Sequence, residues 1–427
     1  MVREEGVPKG YKKTEVGVIP EDWEVKRLGE ILMLLRTGTN SRSELTDEGN
    51  IGYIHYGDIH SKWDTVLDCS IAQVPYIEEK KARNLPRLRD GDLVMADASE
   101  DYAGLGKSVE IANIGEQEIV AGLHTILLRG NKELVADGFK GFLQFMQPVR
   151  ESLCSIATGI SVYGISKRNL KDISIPLPLL PEQKAIAEVL SDVDELIASI
   201  DKLIAKKRDI KQAGMQQLLT GKKRLPGFDG EWRKCQLSDV GVFAKGKGIK
   251  KDDLIPYGIS CIRYGEIYTH HNDYIREFYS FISEEVASEC RSIVKGDLLF
   301  AGSGETAEEI GKCVAFLGEE EAYAGGDIVV FTPFNEDSMY LGYLMNYESI
   351  TCQKARMAQG DAVVHISATN LGQLQLSLPQ RDEQAAIASV LSDMDAEIKA
   401  FERRLEKIRL IKEGMMEELL TGKVRLV

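Results

Sequence analysis

The sequence is poor in features that would mark a disulfide-stapled, metal-bound or membrane-spanning protein. Its seven cysteines (Cys69, Cys154, Cys235, Cys261, Cys290, Cys313, Cys352) are scattered, and none forms a CxxC pair. That argues against a disulfide framework and against a structural zinc site. Its six histidines show no paired spacing on a helix, so no metal-ligand set is expected. No apolar run approaches the length that crosses a bilayer, and the opening MVREEGVPKGYKK is too polar for a secretory signal. The expectation is a soluble protein of the reducing cytoplasm, without membrane contact. Positive charge is also short: 53 Lys and Arg face 67 Asp and Glu, for a net charge of −14. This excludes coating of nucleic acid by bulk electrostatics but leaves room for local basic surfaces.

At 427 residues the chain exceeds one ordinary hydrophobic core, and it contains an internal repeat. Glu182-Gln183-x-Ala185-Ile186-Ala187-x-Val189-Leu190-Ser191-Asp192-x-Asp194 returns 201 positions later as Glu383-Gln384-x-Ala386-Ile387-Ala388-x-Val390-Leu391-Ser392-Asp393-x-Asp395. The same shift carries Leu219-Thr220-Gly221-Lys222 onto Leu420-Thr421-Gly422-Lys423, and Arg224-Leu225 onto Arg425-Leu426. Upstream, Trp23 answers to Trp232, Tyr56-Gly57-Asp58-Ile59 to Tyr264-Gly265-Glu266-Ile267, and Gly91-Asp92-Leu93 to Gly296-Asp297-Leu298. Gly106-Lys107 answers to Gly311-Lys312, Ala121-Gly122 to Ala324-Gly325, and Ile165-Ser166 to Ile366-Ser367. Within each half the end is better kept than the middle. Ends that share a scaffold role and middles with diverged contacts would give that contrast.

The kept ends predict long helices. Glu182 to Leu219 lacks proline, and Ile186, Val189, Val193, Leu196, Ile200 and Leu203 recur in a 3-4-3-4-3 row. The second copy offers Ile387, Val390, Met394, Ile398, Phe401, Leu405 and Ile408. A helix over that first span would be about 57 Å long. Pro181 suits the first turn, Asp382 reads as an N-cap in the second copy, and Thr-Gly closes both helices. One apolar stripe needs a partner, and two matched stripes suit antiparallel pairing with each other. Packing of each stripe on its own domain is the alternative.

The middles, residues 20–180 and 226–380, read as compact mixed α and β units. Predicted strands are Ile51–Ile59, Asp92–Met95, Val120–Leu128 and Ile173–Leu177, with counterparts Ser260–Ile267, Asp297–Phe300, Asp327–Thr332 and Leu374–Leu378. The expected class is therefore α+β: two similar α/β domains in a pseudo-twofold arrangement, separated by an antiparallel coiled coil. The expected boundaries are 1–180, 181–222, 223–380 and 381–427.

Candidate nucleic-acid contacts come from three places. Basic clusters occur in both modules: Lys80, Lys81 and Arg83, with Lys167 and Arg168, in the first; Lys245, Lys247 and Lys250, interleaved with glycine, in the second. The repeated Tyr-Gly-acid segments add Tyr56 and Asp58, and Tyr264 and Glu266. Polar loops before the last strand add Thr158, Ser161, Tyr163 and Ser166, and Asp361, His365 and Ser367. A fixed frame with changed tips is what base reading needs.

Enzyme-like motifs do not survive in both copies. Phe300-Ala301-Gly302-Ser303-Gly304 imitates an S-adenosylmethionine loop, but Met95-Ala96-Asp97-Ala98-Ser99 lacks the glycines, and no Asn-Pro-Pro-aromatic or Asp-Pro-Pro-aromatic motif occurs. Gly241-x-x-x-x-Gly246-Lys247 imitates a Walker A loop but has Gly248 where Ser or Thr must hold magnesium. Pro20-Glu21-Asp22-Trp23-Glu24-Val25-Lys26 is too compressed for a nuclease carboxylate–lysine set.

Gly10-Tyr11-Lys12 with Ile19-Pro20-x-x-Trp23, Pro178-x-x-Pro181-Glu182-Gln183-x-x-Ile186-Ala187 and Leu219-Thr220-Gly221-Lys222, all in a duplicated chain, carry a family resemblance. Over nearly its whole length the sequence resembles the specificity subunits of type I restriction–modification systems. The resemblance implies two target-recognition domains, each reading one half of an asymmetric, split site in double-stranded DNA. It implies that the two helices form a spacer on which two methyltransferase subunits dock, and that restriction subunits add translocation and cleavage. Under it this chain has no catalytic site, metal or cofactor of its own; S-adenosylmethionine, ATP and magnesium belong to the partners. Asp382 departs from the proline of the first copy. Two alternatives are a specificity subunit of a methylation-only system and a stand-alone adenine methyltransferase.

Overall fold

The computed structural model describes residues 7–275, 277–360 and 363–426. The chain forms two compact units, and the division does not follow chain order. The first unit takes Met1–Ile200 and Arg404–Val427; the second takes Asp201–Arg403.

In the first unit a five-stranded sheet runs in the order Leu32–Leu35, Thr125–Gly130, Asp92–Ala96, Ser108–Ala112, Val66–Asp68. All pairs are antiparallel except the last. A second sheet places Ile51–Ile54 between Glu118–Ala121 (parallel) and Tyr76–Ile77 (antiparallel). Asp92–Ala96 is buried throughout because successive side chains enter different cores. Leu93 and Met95 join Ile126, Leu128 and Phe142, whereas Val94 and Ala96 join Leu127, Val109 and Ile111. The second unit repeats the sheet as Gly241–Lys245, Ile328–Pro333, Leu298–Ala301, Cys313–Phe316, Tyr274–Ile275. Its central strand divides likewise, Leu298 and Phe300 to one core, Leu299 and Ala301 to the other. Burial on both faces explains why these strands read as continuous apolar runs.

Two predicted strands are shorter than expected. Ile51–Ile54 gives way to the helix Tyr56–Lys62, and Ile259–Ile262 to the helix Tyr264–Thr269. The turns into helix are fixed by caps: the His55 side chain accepts from Gly57 N, and Glu266 accepts from Arg263 N. Val120–Leu128 is likewise broken by Gly122-Leu123-His124. A Cβ on Gly122 would overlap the buried Tyr53 ring, whose hydroxyl accepts from Leu123 N and Asn40 N.

The long helices span Leu180–Leu218 and Arg381–Leu420. The first unit contains the start of one and the end of the other: Ile186, Ala187 and Leu190 share a core with Leu419 and Leu420. In the second unit Ile387, Ala388 and Leu391 share a core with Leu218 and Leu219. Within each unit the helix segments run antiparallel, since numbers rise on one as they fall on the other. The first unit has Asp194–Lys412 at 2.6 Å; the second has Lys207–Glu397 at 2.7 Å and Lys211–Asp395 at 2.6 Å.

The buried row differs from the sequence reading on the first helix. It runs through the buried Ile186, Leu190, Ile200 and Ile204, with Val193 and Ile197 half-buried between them; Val189 and Leu203 are half-buried at its edge and Leu196 is exposed. Both rows share a 3–4 rhythm, and alternation of Ile, Leu and Val on neighbouring positions allows either phase. On the second helix Ile387, Ile398 and Leu405 are buried, Met394, Phe401 and Ile408 are half-buried, and Leu391 rather than half-buried Val390 fills the core. Asp382 is not the cap: it lies inside the first turn, where its charge complements the helix N-terminus. Gly221 and Gly422 adopt φ of 69° and 70°, the left-handed geometry that ends helices.

At the helix ends the repeated Arg, Glu and Gln build the same locking pairings in both units, whereas the tryptophan bond occurs only in the first, Trp232 Nε1 being buried without a partner among the described residues. In the first unit Glu182, fully buried, accepts from Trp23 Nε1 at 2.8 Å and from the Arg425 guanidinium. In the second, Glu383 accepts two bonds from Arg224. Gln183 accepts from Ala136 N and donates to the Pro178 carbonyl; Gln384 accepts from Asp337 N and donates to the Pro379 carbonyl.

Candidate nucleic-acid interface

Each unit carries the same backbone frame at one end of its sheets. Gly122 N donates to Ile54 O, and Gly325 N to Ile262 O, both at 2.9 Å. Asp97 N donates to His124 O, and Gly302 N to Asp327 O. Ile165 N then donates to Asp97 O, and Ile366 N to Gly302 O. These bonds bring three segments together in each unit: the start of the short helix, the turn after the parallel strand, and the polar loop. The loops close through the pairs Thr158–Gly164 and Gln359–His365.

The side chains on this frame differ. In the first unit Tyr56 lies 4.7 Å from His55, 5.2 Å from His124 and 6.1 Å from His60 by ring centroids. His124, half-exposed at φ 52°, meets Asp97 Oδ1 at 3.2 Å through Nδ1. Left-handed backbone at a non-glycine residue is uncommon and clusters at functional sites. Tyr163 of the polar loop packs on Tyr102 with ring centroids 4.1 Å apart. Burial and the nearby Arg42 push the His55 imidazole below its usual pKa. In the second unit a cleft of about 300 Å³ is lined by Lys250, Arg263, Tyr264, Gly325, Gly326 and Asp327. Beside its frame, Ser303 Oγ and His365 Nδ1 are 2.9 Å apart.

Of the sequence-predicted contacts, Lys250 and Tyr264 line one cleft, whereas Tyr56 packs among histidines and Tyr163 on Tyr102. Thr158 and Ser161 are exposed on the first loop, and Lys167 and Arg168 on the helix that follows it. Lys80 and Arg83 are exposed, and Lys81 pairs with Glu44 at 2.9 Å. Together with Asn40 and the Ser41 amide, Lys81 holds the Glu44 carboxyl down to about 2. Lys245, Lys247 and Lys250 are exposed with no ion pair among the described residues. Asp361 lies outside the described residues.

Four expected contacts are occupied otherwise. Asp58 is fully buried and pairs with Arg42 at 2.7 Å and Lys62 at 2.8 Å. Glu266 is buried, bonded to Ser280 Oγ and Arg263 N. Carboxylates inside a helix start serve its amides and neighbours, not solvent. Ser166 and Ser367 cap the helices Lys167–Lys171 and Ala368–Gly372, accepting from Asn169 N and Asn370 N. Sequence reasoning missed His124, Asp97, Arg263 and Asp327. One signal was available: His124 and Asp327 follow the repeated Ala-Gly pairs at the same distance and differ from each other.

The enzyme-like segments have structural roles. Ser303–Gly304 forms a short strand against Val364–His365, Gly241–Lys245 is a sheet strand, and Asp22 and Trp23 belong to the helix lock.

The family profile described as "Type I restriction modification DNA specificity domain" matches residues 20–206 and again 229–410. The chain belongs to this family. Among its relatives, one named for the type I restriction enzyme MjaX specificity subunit of Methanocaldococcus jannaschii is 27% identical, over 98% of this chain and 97% of its own. The MjaVIII specificity subunit of the same organism is 24% identical, over 95% and 94%. Among solved structures, the type I restriction–modification S subunit from M. genitalium superposes with a TM-score of 0.57 at 13% identity, covering 98% of both chains. The two family matches coincide with the two copies of the repeat. Among the described residues no helix is long and apolar enough to cross a membrane.

Proposed function

We propose that this chain is the DNA-reading subunit of a type I restriction–modification complex, each half reading one part of a split, asymmetric target in double-stranded DNA. The observation that carries this reading is the frame built twice with the same backbone hydrogen bonds and lined by different side chains. A shared frame gives both halves one way of meeting DNA; different linings give them different sequences to read. The long helices take the role of spacer and of docking surface for two methyltransferase subunits. Those partners supply S-adenosylmethionine chemistry at adenine N6, and restriction subunits supply ATP- and magnesium-dependent translocation and cleavage. This chain contributes recognition and no catalytic group. A net charge of −14 suits a reader whose partners supply much of the phosphate contact.

The test is co-expression with the cognate methyltransferase subunit, followed by genome-wide mapping of methyladenine. A single split motif, present only when this chain is present, is expected. Methylation that persists without the chain would overturn the proposal. The isolated chain should bind DNA weakly, and nanomolar sequence-specific binding without a partner would contradict the division of labour.

A further inference from the structure

The cleft of the second unit holds a polar group with nothing to bond. Arg263 Nε is buried and has no hydrogen-bond partner, and no ion pair reaches this guanidinium among the described residues. Its stem lies against Gly325, and Gly325 and Gly326 leave the floor of the cleft without side chains. Tyr264, 40% exposed, and Lys250 line the same cleft, as does Asp327. A buried donor without an acceptor costs free energy unless a ligand supplies one. The residue is placed firmly, since its own backbone N–H is bonded to the buried Glu266 at 2.7 Å.

Resting on the DNA-reading function above, we propose that Arg263 and Asp327 together read one G·C pair in the half-site of the second module. The Arg263 fork donates to guanine O6 and N7, and the Asp327 carboxylate accepts from cytosine N4. Those are the pairings that the major-groove edges of this base pair offer to these two side chains. A phosphate is the other acceptor a guanidinium takes, but a carboxylate in the same cleft repels a phosphate and suits an amino group. At the same two positions the first module has His55 and His124. Imidazoles present neither the fork nor the carboxylate, so the first half-site has a different requirement at its corresponding pair.

The experiment maps methyladenine in cells making the methyltransferase partner with wild-type chain, Arg263→Gln, Arg263→Lys or Asp327→Asn. The wild-type motif should contain G·C in the second half-site. Arg263→Gln should lower discrimination at that one pair by about tenfold to a hundredfold, Lys should restore little of it, and Asp327→Asn should relax the same pair. The first half-site should persist in every variant, which also reports that the complex assembles. Uniformly weaker methylation with an unaltered motif would make Arg263 a phosphate contact and overturn the inference. So would an unaltered motif at full strength. Methylation that never depended on this chain would instead defeat the parent proposal, and the wild-type and chain-free controls separate the two failures.

Discussion

The Arg425 guanidinium, one residue from the end of the chain's described part, donates to both oxygens of the fully buried Glu182, at 2.6 and 2.8 Å. It also pairs with Asp22 at 2.7 Å, tying the C-terminal segment to the N-terminal one. Removing the arginine leaves a buried carboxylate with, among the described residues, only the Trp23 indole as donor. Arg425→Met should therefore destabilise the first unit by about 3–5 kcal/mol. Denaturant unfolding, with hydrogen exchange in the strand Asp92–Ala96 as the local reporter, checks this. Arg224→Met should shift the stability of the second unit in the same direction through Glu383. A loss below about 1 kcal/mol, the range of exposed pairs, would deny the lock its role.

Lys354 gives a pH-dependent prediction. It is almost wholly buried against the second core and donates to the Gly311 carbonyl at 2.6 Å. Burial lowers its pKa from 10.5 to about 8. In the unfolded chain the amine holds its proton up to the higher value, so between about 8 and 10.5 the unfolded state binds more protons and stability rises with pH. Below about 8 the full cost of a buried charge is present. Lys354→Met should stabilise the second unit by about 1–2 kcal/mol near neutral pH, less than the full burial cost because the Gly311 carbonyl loses its donor. The gain should shrink toward pH 10. Thermal unfolding across that range tests it; a gain that grows with pH would contradict the assignment.

The corrected phase of the first long helix is testable by truncation. Ile204 is buried and Leu196 exposed. Ile204→Ala should cost about 2–5 kcal/mol, and Leu196→Ala within about 0.5 kcal/mol. Equal costs would restore the row inferred from spacing.

The basic loop of the second unit should act through phosphates. Replacing Lys245, Lys247 and Lys250 together with Gln should weaken DNA binding by the assembled complex without changing its motif. The log–log salt slope should fall by about one for each lysine that touches a phosphate. Lys81→Gln, whose ammonium is already paired with Glu44, should change the slope little. A changed motif in the triple variant would make these lysines base readers.

Much of the fold was legible because it was written twice. Burial of Glu182 and Gln183 at the helix start, and of Glu383 and Gln384, is the reason those letters survive in both copies. The positions of the sheet strands were readable from apolar runs. The helices at Tyr56 and Tyr264 were not, since β-branched residues precede them and the turn depends on caps from His55 and Glu266. The basis of the site was half visible. Tyr56 and Tyr264 stood out as repeated letters, but Asp58 and Glu266, repeated beside them, proved to be buried partners of neighbouring side chains. Repetition marks the frame; the reading groups lie where the copies disagree, as at His124 and Asp327. Only the folded backbone puts those residues beside the tyrosines.

Exchange of residues 226–380 for the matching module of a relative with a different target tests the central claim most directly. Methyladenine mapping of the hybrid complex should show one half of the motif replaced and the other unchanged. An unaltered motif, from a complex that still methylates, would contradict two independent readers in one chain.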